Sequence, residues 1–120
     1  MNLLTRKEEI LLYLSEQTRD FDIVMPLAST QRGISEALDY SQTRCSWCLA
    51  ELSSAGLVKW RLAHIPELKP KLKAYVITAK ADPLIKVALQ KLEAIEALDK
   101  LSENLGGLEL ALTITPKVRF

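Results

Sequence analysis

Residues 29–56 hold two short helices with only a two-residue turn between them. Ser29-Thr30 offers hydroxyls to cap a helix through Leu38, whose Ile34, Ala37 and Leu38 share a face. Asp39-Tyr40 breaks that helix. Ser41 caps another, which carries Cys45, Cys48, Leu49 and Leu52 at i, i+3, i+4 and i+7. Gly56 ends it, because a residue without a Cβ adopts the left-handed conformation cheaply.

The flanking sequence supplies the other pieces. Thr5-Arg6-Lys7-Glu8 is a capping box, and Ile10, Leu11, Tyr13 and Leu14 follow at helical spacing up to about Ser15 or Glu16. Phe21-Asp22-Ile23-Val24 reads as a short strand or extended segment, closed by Met25-Pro26. Residues 57–65 and 72–78 alternate as strands around a basic loop containing Pro66 and Pro70, which predicts a hairpin with a charged tip. Asp82-Pro83 starts a long helix, with Asp as cap and Pro at the first helical position. Its apolar residues Ile85, Leu89, Leu92, Ile95, Leu98, Leu101 and Leu105 outnumber what a small domain can cover. Asn104, Gly106 and Gly107 stop the helix, and residues 108–115 alternate as a terminal strand with no evident pairing partner.

Helix, short strand, helix, tight turn, helix and hairpin is the element order of a winged helix-turn-helix domain. The fold expected is mainly α with a small β-hairpin (α+β): a winged domain over residues 1–80, then a helix and strand over 81–120 serving as a dimerisation extension. Four stretches carry a closer likeness: Thr30-Gln31-Arg32-Gly33-Ile34-Ser35-Glu36-Ala37-Leu38, Ser41-Gln42-Thr43-Arg44-Cys45-Ser46, Glu51-Leu52 with Gly56-Leu57-Val58, and Ala63-His64-Ile65 with Ala74-Tyr75-Val76-Ile77-Thr78. Over residues 29–78 the chain resembles archaeal winged-helix transcriptional regulators related to the MarR family. That resemblance implies a DNA-binding regulator with no catalytic step.

In this fold the second helix of the motif lies in the major groove and presents its N-terminal residues to base edges. Gln42 then pairs with adenine and Arg44 with guanine, while Ser41, Thr43 and Ser46 reach bases or phosphates. N–H groups at Thr30 and Gln31 favour phosphate through the helix dipole. Lys69, Lys71 and Lys73 in the wing are placed for the backbone or minor groove, with Lys59 and Arg61 as weaker candidates. Trp47 departs from the family, which generally carries Arg or Lys there. It either contacts a base or packs on a neighbouring element or partner subunit.

Charge partition agrees with this surface. The 120 residues carry a net charge of +1, yet residues 29–80 hold eight Lys and Arg against four Asp and Glu. Cys45 and Cys48 form a CxxC, but one helical turn apart on the core side, with only His64 as a further soft ligand, they read as buried packing rather than a metal or redox site. No cofactor is expected. No apolar run reaches the roughly 18–20 residues that span a bilayer, so a cytoplasmic chain is expected. The expected partners are double-stranded DNA and a second copy of the chain, whose two recognition helices would meet a palindromic site. A small-molecule effector between the winged domain and the last helix stays open, with no polar constellation marking its pocket. The competing reading is a winged-helix protein-interaction module that uses Trp47 and the apolar tail as contact surfaces.

Overall fold

The first helix begins where its capping box dictates. In the computed structural model, which describes residues 4–104, Thr5 Oγ1 accepts from Glu8 N at 3.1 Å and Glu8 Oε1 accepts from Thr5 N at 2.9 Å. Helix α1 (Arg6–Ser15) buries Ile10, Leu11 and Leu14 and leaves Tyr13 half-buried, its hydroxyl donating to Ala28 O at 2.7 Å. A 3-10 turn (Leu27–Ser29) leads into α2 (Gln31–Leu38), Asp39 breaks the chain at φ 57°, and Ser41 caps α3 (Gln42–Ser54). After Gly56, at φ 76°, strand β1 (Val58–Ala63) pairs antiparallel with β2 (Leu72–Ile77), with Val58 opposite Ile77 and Ala63 opposite Leu72. The expected segment before Pro26 contributes a single parallel bridge, Val24 to His64, rather than a strand.

Two apolar clusters hold these elements. The larger joins Ile10 and Leu14, Ile34, Cys45, Leu49 and Leu52, and the wing root Val58, Tyr75 and Ile77. A smaller one lies on the other face of the hairpin around Met25, Ala63, Ile65, Ala74 and Val76. The register explains the split, since alternate residues of a strand point to opposite faces.

Helix α4 (Asp82–Asn104) differs from expectation at its start. Asp82 is not a non-helical cap: a 3-10 turn (Ala79–Ala81) feeds straight into the helix, and Asp82 is already helical at φ −54°, ψ −44°. Its carboxylate instead pairs with Arg19 at 2.9 Å. Farther along, α4 lies against α1, and Lys91 Nζ reaches Glu8 Oε2 at 2.9 Å. None of the described helices is long and apolar enough to cross a membrane.

The Lys91 ammonium, followed by the Thr5 backbone N–H, holds the Glu8 carboxyl below its ordinary value of 4.5. A carboxyl lowered in the fold stabilises fully above its unfolded value and loses that contribution as pH falls through the lowered one. Stability should therefore decline below about pH 4.5 more steeply in wild type than in Lys91→Met. Thr5→Ala should cost about 1 kcal/mol at pH 7 through the lost cap. Urea midpoints of the three proteins between pH 3 and 7 measure both effects, and parallel pH curves for wild type and Lys91→Met would exclude the linkage.

Candidate nucleic-acid interface

The inward residues of α3 fix what faces out. Cys45, Cys48, Leu49 and Leu52 are buried, so Gln42, Thr43, Arg44, Ser46 and Trp47 all stand on the solvent side and are exposed. Ser41 Oγ accepts from Arg44 N at 3.2 Å, which closes the first turn and sets the direction in which these side chains leave it. Trp47 is 74% exposed, so its expected packing on a neighbouring element does not occur among the described residues.

Helix α2 meets this surface through its first residue. Gln31 is half-buried, and its Nε2 donates to Gln42 O and Oε1 at 3.1 and 2.9 Å. Thr30, by contrast, is buried. Its hydroxyl donates to Leu27 O at 2.6 Å and accepts from Gly33 N at 3.2 Å, and its backbone N–H donates to Leu27 O at 2.9 Å. All of its polar donors serve the fold, so the phosphate contact expected at Thr30 is open only to the N–H groups that follow it.

The wing stands beside α2 and α3. Lys69, Lys71 and Lys73 are exposed, the first two on the loop and the third on β2. Lys73 Nζ lies 4.3 Å from the ring centroid of Trp60, its diagonal neighbour across the hairpin. Arg61 sits 5.0 Å and Lys59 5.8 Å from the ring centroid of Phe21, on the opposite strand face. Sequence reasoning missed Trp60 and Phe21 as partners of the basic residues. The period-two alternation carried the Trp60 signal, because it puts residues 58, 60 and 62 on one face. A groove of about 520 Å³ separates wing from helices, bordered by Gln31, Arg32, Gln42, Pro70, Lys73 and Tyr75. Beyond Gln31 and Gln42 a shallower hollow continues along Thr43 and Ser46 to Trp47.

The remaining groups with chemistry are tied into the scaffold. Burial, reinforced by the neighbouring Cys48 thiol, pushes the Cys45 thiol up to about 11, and its Sγ lies 3.7 Å from Gln31 O. A thiol so raised stays neutral and unreactive near pH 7. Burial and the Glu9 carboxylate raise the Tyr40 phenol, whose hydroxyl donates to that carboxylate and ties the α2–α3 turn to α1. No group of three or more His, Cys, Asp or Glu side chains among the described residues is placed to hold a metal ion.

The apolar residues expected along the last helix take three positions. Ile85 is buried in the main core, Leu92 and Ile95 are half-buried, and Leu89, Leu98 and Leu101 are exposed. Leu105 and the strand expected at 108–115 lie outside the described residues.

No protein-family model matches the chain, and no curated protein matches it by sequence. Solved structures do match. A cysteine variant of ZitR from Lactococcus lactis superposes with a TM-score of 0.63 at 24% identity, covering 82% of this chain and 59% of its own. A MepR–DNA complex from S. aureus gives 0.59 at 18%, covering 90% and 80%, and the MarR family transcription regulator SP03579 gives 0.57 at 22%, covering 91% and 64%. Against three ZitR structures the chain spans 59%, 65% and 63% of the other's length. At these identities the shared property is architecture. The chain has the winged helix-turn-helix fold, with a long helix packed behind it.

Proposed function

We propose that this chain is a sequence-specific, double-stranded-DNA-binding transcriptional regulator. It acts as a cytoplasmic homodimer with α3 in the major groove and the wing on the backbone. The observation that carries this reading is the outer face of α3, where Gln42, Thr43, Arg44 and Ser46 stand exposed next to a wing bearing Lys69, Lys71 and Lys73. Polar side chains on the first turns of such a helix match base edges, and the lysines match phosphates. The same architecture occurs with DNA in the S. aureus MepR complex. Exposed Leu98 and Leu101 on α4 offer an apolar surface to a second copy, which would put two recognition helices on half-sites about 34–36 Å apart. The 74% exposure of Trp47 favours a second reading, a winged module that docks another protein.

Binding to random and genomic duplexes over a salt series separates the two. The regulator reading expects affinity to fall steeply with salt as counterions are released. Arg44→Ala should weaken preferred sites by about 1–3 kcal/mol and relax their sequence preference. Changing Lys69, Lys71 and Lys73 together to Ala should weaken all sequences alike and flatten the salt slope by about three. Absence of binding at low salt would overturn the regulator reading in favour of the docking module.

A further inference from the structure

The glutamines that open α2 and α3 are locked to one another, and the lock has a direction. Gln31 Nε2 donates to the backbone oxygen of Gln42 at 3.1 Å and to its Oε1 at 2.9 Å. A backbone carbonyl only accepts, so the part of Gln31 facing it is the amide NH2. The other proton of that NH2 needs an acceptor as well, which makes the facing atom of Gln42 its Oε1 and turns the Gln42 NH2 away. Each glutamine is the first residue of its helix, held there by the Thr30 and Ser41 caps, and Gln31 is half-buried while Gln42 is exposed.

A glutamine with no such neighbour presents donor or acceptor with equal ease, because rotating its terminal torsion exchanges them. The bond from Gln31 removes one of the two choices. We infer that Gln31 is a positioning residue for base readout. By holding the Gln42 NH2 outward, it selects a base edge that offers an acceptor and rejects cytosine, whose major-groove edge offers only its N4 donor. Adenine N7, guanine N7 and O6 and thymine O4 all offer such an acceptor, whereas the cytosine amine would need the oxygen that Gln31 already engages. This role rests on the DNA-binding reading of α3. Gln31 needs no base contact of its own, since its effect passes through Gln42.

The test uses the 120-residue chain and a random-sequence duplex library, from which wild type selects its preferred site. The base pair read by Gln42 is the one whose preference disappears in Gln42→Ala. At that pair the four bases are then compared by competition for wild type, Gln31→Met and Gln31→Glu, with melting curves showing that both variants fold. Methionine keeps the length and loses the donor, so discrimination against cytosine should relax about tenfold while binding to the best site changes less. Glutamate can only accept. It should draw the Gln42 NH2 toward itself and turn Oε1 outward, moving the preference toward cytosine while its charge weakens all four bases alike. Unchanged discrimination in both variants, with wild type still binding its selected site, would overturn the role of Gln31 and leave the regulator reading intact. A wild type that selects no sequence would overturn both.

Discussion

Gly33→Ala is expected to lower stability by about 3 kcal/mol, although alanine is the better helix former by up to about 1 kcal/mol. A Cβ at residue 33 would sit 2.1 Å from Leu27 O and 2.8 Å from both Leu27 C and Ala28 Cα. These are backbone atoms of the 3-10 turn, so no side chain can swing aside to make room. Leu27 O is moreover the acceptor for both the backbone N–H and the hydroxyl of Thr30, which caps α2. Moving it by the ångström or more that a methyl needs would break the cap and loosen Gln31. For a domain of this size each kcal/mol shifts the melting temperature by roughly 4–8 °C. Thermal unfolding of Gly33→Ala should therefore show a fall of more than about 10 °C, and an unchanged or higher midpoint would contradict the contact.

Leu49→Ala should cost about 2–5 kcal/mol, the range for emptying a well-packed leucine site. Leu49 is 1% exposed at the centre of the inner face of α3, in one cluster with Ile10, Ile34, Leu52 and Val58. Because three other helices and the hairpin converge on that cluster, the cavity cannot close by shifting one element. Thr43→Ala, on the opposite side of the same helix, should change stability by under about 0.5 kcal/mol. Guanidinium titrations with a shared m-value give both numbers. A loss below about 1 kcal/mol at Leu49 would mean that the core tolerates a void there.

Local rules made most of the helix starts legible. Thr5 with Glu8, Thr30 and Ser41 cap where the sequence says they should, since a cap depends on three or four consecutive residues. Long-range contacts were hidden. Thr30 is buried because Ala74 of the wing bridges to it, and nothing in residues 29–33 announces a partner more than forty positions away. The stripe along α4 does not stay on one face, for a geometric reason. Leu92, Ile95, Leu98 and Leu101 recur every three residues, whereas the helix turns every 3.6, so each step slips about 60° backwards around the axis. Their burial follows that drift, from half-buried Leu92 and Ile95 to Leu98 at 61% exposed. On the candidate surface, the burial pattern of α3 was readable from Cys45, Cys48, Leu49 and Leu52. The Gln31–Gln42 bond was not, because it depends on how closely two helix starts approach.

The two single-residue bridges, Val24 to His64 and Thr30 to Ala74, fasten the hairpin on both sides. The first is closed by Met25 N to His64 O and His64 N to Ile23 O, each 2.9 Å, and the second ties β2 to the residue that caps α2. Both edges of the hairpin are thus tied to the segment that leads into α2. Under the proposed DNA-binding role, a wing tied down in this way would leave the duplex to supply the compliance. Flexible pyrimidine–purine steps between the two contacts would then bind better than stiff A-tracts, although no side chain touches them.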